Sequence, residues 1–250
     1  MSKSSVGFST AYKLRQDLEI SATTSVDLQF ILEKLMIKLI YKDLGRGIDG
    51  ACKSEGIKKL IVLNPNIDNE KRKRFTLAHE IGHLLIHHNA YLCNKDCFRA
   101  YKTQSNEERE ANDFAAELLL PQNEVSQILN SDDLTFELIK NVAEKYNTSL
   151  FVAGIRLAQL FKDNAMLVVH DGYRVSWKVP SNNCFLKISD IIAPNVLANK
   201  TNDNNRHISG EINSQCWLEN DIEDLICEEE SHYFSKLKRY LTILKFYENY

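Results

Sequence analysis

Arg74-Phe75-Thr76-Leu77-Ala78-His79-Glu80-Ile81-Gly82-His83-Leu84-Leu85 is an apolar stretch with two histidines and a glutamate set inside it. It reads as the middle of a helix over about 72–88, carrying a His-Glu-x-x-His pattern. Four residues of helix turn through about 400°, so His79 and His83 project from one face, one turn apart. Two imidazole nitrogens so placed can reach a single metal ion. Glu80 lies about 100° round from His79 and can act on water at the metal without binding the metal itself. Two neutral nitrogen ligands, a carboxylate base and an open position are what a hydrolytic zinc site needs.

Such a zinc takes a third protein ligand. The positions six and three residues after His83 hold Asn89 and Ile86, which excludes a third histidine followed from that helix in the usual His-x-x-Gly-x-x-His spacing. A second predicted helix, about Asn106 to Leu120 and stopped by Pro121, offers Glu107, Glu108 and Glu110 instead. Asn112 stands four residues after Glu108 on the same face. Glu108 can therefore bind the metal while the Asn112 amide fixes the outer nitrogen of a ligand imidazole. Four residues on from Glu107 and Glu110 stand Ala111 and Phe114. Ser105-x-x-Glu108 also has capping-box spacing, in which the carboxylate satisfies a backbone N–H. Spacing leaves both roles open for Glu108, and the neighbouring histidine motif weighs towards the metal.

Around this site the chain is ordinary. Of its 250 residues 44% are hydrophobic and 26% charged, which argues against a disordered chain, a fibrous repeat or a disulfide-rich miniprotein. A net charge of −3 requires neither nucleic acid nor an anionic membrane as partner. No run approaches the ~18 apolar residues of a membrane span. Met1 to Ile20 is interrupted by Lys13, Arg15, Asp17 and Glu19, so it does not read as a signal peptide. A cytoplasmic location follows as the expectation, with the six cysteines reduced.

The pattern predicts α+β. Thr24 and Asp27 have capping-box spacing, and the apolar residues from Val26 to Ile40 predict a helix over Ser25 to Asp43. Lys59 to Leu63 reads as a strand. Helices are expected at about 134–146 and 149–162, joined at Asn147. Ala165–His170 and Tyr173–Val179 flank Asp171-Gly172, a dipeptide suited to a type I′ hairpin turn, and Leu241–Phe246 reads as a late strand. Three segments are expected: a mainly helical catalytic core with a short sheet over 1–122, a helix-turn-helix-like segment over 123–163, and a small α+β domain over 164–250 for sensing or substrate docking.

The stretch 74–85, followed by Glu108-x-x-Ala111-Asn112-x-Phe114-Ala115-x-x-Leu118-Leu119-Leu120-Pro121, resembles the ImmA/IrrE family of metallopeptidases. Weaker similarity runs on to residue 162 and reappears at Cys216-Trp217-Leu218 and Leu241-Thr242-Ile243-Leu244. Leu120 stands where Met is common and Ile81 where Leu is common, and neither touches the chemistry. The resemblance implies a zincin-like core with zinc on His79, His83 and Glu108, Glu80 as general base and Asn112 behind a ligand, and Mn²⁺ or Fe²⁺ as substitute ions. It also implies a bacterial anti-repressor: an intracellular endopeptidase that cleaves a helix-turn-helix transcriptional repressor of a mobile genetic element or stress regulon. The competing reading is a non-catalytic zinc-binding regulator that sequesters such a repressor.

Other signals read as structure. His87, His88, Cys93 and Cys97 have spacing for a second zinc, although the histidines also suit a helix C-terminus. Lys71-Arg72-Lys73-Arg74 reads as a solvated turn. The helices around Asn147 resemble a helix-turn-helix, but the second offers only Arg156 and Lys162 as basic residues, so direct DNA binding is not expected. Glu219 to Glu230 reads as a solvated face or loop, and Trp217 as core. Tyr91, Tyr101, Arg109, His170, His207 and His232 are candidate oxyanion donors.

Overall fold

The computed structural model describes residues 5–67, 69–87, 91–94 as backbone, 105–201, 205–220, 222 and 224–248. These are α+β and fall into two compact units, Met1–Glu124 with Val142–Val152, and Val125–Asn141 with Ala153–Tyr250.

The first unit contains α1 (Val6–Asp17), α2 (Leu28–Lys34), β1 (Ile37–Tyr41), β2 (Ile48–Glu55), β3 (Lys58–Leu63), α3 (Glu70–Ile86), β4 (Tyr91–Asn94) and α4 (Asn106–Leu119). The sheet order is β1-β3-β2-β4. β1 runs parallel to β3 and the other pairs are antiparallel. α3 is buried without a break from Phe75 to Leu84, and its apolar side chains join those of α1, α2, α4 and β3 in one core. A helix buried on all sides needs polar anchors at its ends. Asn69 Oδ1 accepts from the Arg72 N–H at 3.1 Å, Arg72 pairs with the buried Asp49, and Arg74 donates to Ser25 Oγ and the Val26 carbonyl. The basic run 71–74 is thus spent largely on the fold.

The helix expected over Ser25 to Asp43 is a short helix followed by a strand. Its cap is Asp27, not Thr24: Asp27 Oδ1 accepts from the N–H groups of Gln29 at 2.9 Å and Phe30 at 3.2 Å. The helix closes at Leu35, and Met36 takes a φ of +53°, which an α-helix cannot accommodate. Ile37–Tyr41 then pairs residue by residue with Lys59–Leu63. The apolar spacing of 26–40 fits a helix, but a ready strand partner decides the outcome. α1 stands where no helix is predicted, and α5 (Gln122–Ser131) falls within the helical segment expected over 123–163 but is not one of the two helices placed in it. α6 (Phe136–Lys145) and α7 (Leu150–Leu160) match the predicted pair, with Asn147 at φ +52° between them.

The second unit is built on an antiparallel sheet in the order β6-β5-β9-β8-β7. Its strands are β5 (Ala165–His170), β6 (Val175–Pro180), β7 (His207–Asn213), β8 (Leu225–Phe234) and β9 (Arg239–Glu248), with a short 3₁₀ helix at Leu197–Lys200. The hairpin at Asp171 is not a two-residue type I′ turn. Of its two residues only Gly172 has a positive φ, +95°, and His170 pairs with Val175 across a four-residue loop. The Asp171 carboxylate accepts from the N–H groups of Tyr173 at 3.0 Å and Arg174 at 2.7 Å, which fixes the wider turn.

The acidic run before Glu230 is also not simply a solvated face. Glu229 is fully buried on β8. Its carboxylate accepts from the N–H groups of Leu197 (3.0 Å) and Ala198 (2.6 Å), from Trp217 Nε1 (2.9 Å) and from Ser231 Oγ (2.9 Å). Ser231 Oγ lies 2.7 Å from Thr242 Oγ1, which lies 2.8 Å from His170 Nε2. His170 Nδ1 accepts from the Gly172 N–H at 3.1 Å. Trp217 is core, 1% exposed, beside the buried Cys184, Cys216 and Cys227.

Candidate metal centre

α3 and α4 pack at close range. A Cβ on Gly82 would lie 3.0 Å from Phe114 Cδ1, so only a residue without a side chain lets the two helices approach this closely at the motif. The approach brings α4's first turns over the two histidines. His79 and His83 are fully buried, and the Glu108 side chain is 18% exposed. His79 Nε2 lies 3.0 Å from His83 Nε2, Glu108 Oε2 lies 3.3 Å from His79 Nε2, and Glu108 Oε1 lies 3.4 Å from His83 Nε2.

These three spacings test whether a metal fits. In a tetrahedral site with bonds of ~2.0–2.1 Å, ligand atoms sit about 3.3 Å apart. The three spacings are of that order, the two from Glu108 reaching one histidine with each carboxylate oxygen, and one ligand atom from each of the three residues lies within 4.8 Å of the other two, a group able to hold a metal ion. Among the described residues the group has three members, fewer than the four protein ligands of a structural zinc. Burial raises the pKa of the Glu108 carboxyl, but the hydrogen bonds and charges of His79 and His83 outweigh it and hold the group far below the usual carboxylate range. The ionised form is the one that ligates. Ser105 Oγ accepts from the Glu108 N–H at 3.4 Å, so Ser105 caps α4 while the Glu108 side chain turns to the histidines.

Asn112, one turn along α4, places Oδ1 2.9 Å from His79 Nδ1. Glu80 is fully buried on α3, and β2 makes room for it at Gly50, where a Cβ would stand 2.6 Å from Glu80 Oε1 and 2.9 Å from Thr76 Cγ2. Two residues enter in a role that the sequence reading did not give them. His87 caps α3, but its Nδ1 lies 3.1 Å from His83 Nδ1 and its Nε2 lies 3.0 Å from Glu110 Oε2. The signal in the sequence was the repeated spacing of four, 79–83–87. For Glu110 the sequence carried no signal of a histidine partner, because that partner is on the other helix.

Of the remaining candidates, His88, Cys97 and Tyr101 lie outside the described residues, and Tyr91 and Cys93 are described as backbone only. Three of the four residues of the second zinc set, all but His87, and two of the oxyanion candidates fall there. Arg109 donates to Asn106 Oδ1, His207 Nε2 meets Glu230 Oε1 at 2.8 Å, and the His232 ring stacks on Phe136 at 4.2 Å. Arg156 on α7 is buried and the same helix buries Ala153, Gly154, Leu157 and Ala158, so its face is used for packing.

Comparison with known proteins supplies the rest. A transcriptional regulator of Mycobacterium tuberculosis shares the fold, with a TM-score of 0.56 at 10% identity over 95% of this chain and 75% of that one. An uncharacterized immunity region protein, number 2, of Bacillus phage phi105 is 36% identical over 99 residues, 38% of this chain. The match spans 60% of the length of that relative. The model of the Peptidase_M78 family, described as the IrrE N-terminal-like domain, matches residues 32–158, a span that holds the motif helix, Glu108 and Asn112. With half of the chain matched by that model, this chain belongs to the IrrE N-terminal-like, or ImmA/IrrE, family.

Proposed function

We propose that the chain is a zinc-dependent endopeptidase acting in the cytoplasm on a helix-turn-helix repressor of a mobile element or stress regulon. The observation that carries this reading is the triangle of His79, His83 and Glu108 with Glu80 buried beside it. Zinc bound there would supply Lewis acidity, polarising a peptide carbonyl and bringing the pKa of a water towards ~7. His79 and His83 would offer Nε2, each with its outer nitrogen held by a neighbouring side chain. Glu108 would contribute the balancing negative charge. Glu80 would take a proton from the attacking water and return it to the leaving amine, so that water adds across the C–N bond with no other reactant. The proposed substrate rests on family membership and on the phage immunity-region relative.

The test is cleavage of purified helix-turn-helix repressors from the organism that carries the gene. The zinc-loaded wild type is expected to cut one of them, and Glu80→Gln to bind zinc equally while losing at least ~100-fold in rate. A repressor released from DNA intact, by wild type and variant alike, would replace catalysis with sequestration.

A further inference from the structure

Resting on the metal centre just proposed, we propose that His87 and Glu110 are positioning residues that hold His83 as a metal ligand. The ring of His87 does not turn to solvent at the end of α3: its side chain is 9% exposed, and both nitrogens are engaged by side chains of the site. The direction of each hydrogen bond follows from proton counting. A neutral imidazole carries one N–H. If His83 ligates through Nε2, its proton is on Nδ1 and is donated to His87 Nδ1, 3.1 Å away. His87 accepts there, so its own proton is on Nε2 and is donated to Glu110 Oε2 at 3.0 Å. The chain ends on a carboxylate that is 30% exposed. Its effect is to fix the His83 tautomer and ring plane and to push electron density towards the ligating nitrogen.

The two ligand histidines are therefore supported differently. His79 leans on a neutral amide, Asn112, within α4's second turn. His83 leans on an imidazole that is itself backed by a negative charge. The pairing spans two helices, with His87 on the last turn of α3 and Glu110 on the first turns of α4. Metal binding would thus tie the two helices together at two places besides Glu108.

The experiment compares His87→Asn with His87→Leu in the full chain, titrating zinc against a chromophoric chelator at fixed pH. The two replacements have similar size and both give up Glu110. Asn keeps an acceptor near the position of Nδ1, and Leu does not. We expect His87→Leu to weaken zinc binding by about 10–100-fold and His87→Asn to recover most of that loss. Glu110→Ala should fall between wild type and His87→Leu. In the zinc-loaded wild type, nitrogen-15 spectra should show His83 protonated on Nδ1 and His87 on Nε2. Wild-type affinity in His87→Leu, equal losses in the two His87 variants, or a His87 proton on Nδ1 would each overturn the proposal while leaving the metal centre standing. A wild type that takes up no zinc would remove the metal centre itself and the outer pair with it.

Discussion

Glu80, the proposed base, sits in a place that one residue on another element keeps open. Gly50 on β2 faces its carboxylate at a distance no Cβ could share. Gly50→Ala should therefore leave zinc uptake intact and lower peptide cleavage by at least ~10-fold, since small misplacements of a catalytic group cost orders of magnitude. Zinc stoichiometry and cleavage measured on one preparation check this, and full activity in the variant would show that Glu80 has room to spare. At this scale the sequence was informative where spacing along one helix sets geometry. His79, Glu80 and His83 come from α3 alone, and Glu108 with Asn112 from the i, i+4 relation on α4. Gly50 and the His87–Glu110 contact were not legible, because each depends on how separate elements meet. Glu229 was hidden for the same reason: an acidic run looks solvated until the N–H groups of Leu197 and Ala198 are brought to it.

Helix α3 and helix α4 are the elements that build the centre, and their approach depends on Gly82. Gly82→Ala forces a methyl against the Phe114 ring at about the limit of contact. The expected result is a stability loss of about 1–3 kcal/mol in denaturant titration, with weaker zinc binding as Glu108 is pushed from the histidines. An unchanged zinc affinity would show that α4 can shift without moving its ligand. At the start of α2, Asp27→Ala should cost about 1 kcal/mol, because two backbone N–H groups lose their acceptor. Thr24→Ala should cost nothing measurable, in line with Asp27 as the cap. Elements were legible in proportion to their independence. α3, α4 and β3 declare themselves by periodicity and by their terminators. β1 does not, because a stretch whose apolar residues suit a helix becomes a strand only through β3. α5 was lost behind Pro121, which ends one helix and immediately precedes another.

Across the molecule the two units carry different kinds of buried polar group. The first buries His79, Glu80, His83 and Asn112 around a site that could hold a metal. The second buries a carboxylate, two hydroxyls and a histidine joined in one hydrogen-bonded chain. Removing the carboxylate with Glu229→Ala strands several buried donors, each worth about 1–3 kcal/mol. A loss of at least about 3 kcal/mol in unfolding free energy is expected, with zinc stoichiometry unchanged. Burial pushes the His170 pKa down to about 3 from the ordinary 6.5, with Asp171 opposing in part. The unfolded chain therefore binds a proton that the folded chain refuses between those values, and stability falls as pH drops through that window. The slope is about 1 kcal/mol per pH unit below ~6. Denaturant titrations at pH 7 and pH 5 should show a smaller drop for His170→Gln than for the wild type. The α+β class and the change from helices to strands after residue 163 were readable from pattern, whereas the buried chain was not, since its members come from three strands. The central claim is tested most directly by metal analysis of wild type and Glu108→Ala, both purified without added metal. About one zinc per wild-type chain, largely lost in the variant, is the predicted result; full zinc in both, or none in either after zinc is supplied, would contradict it.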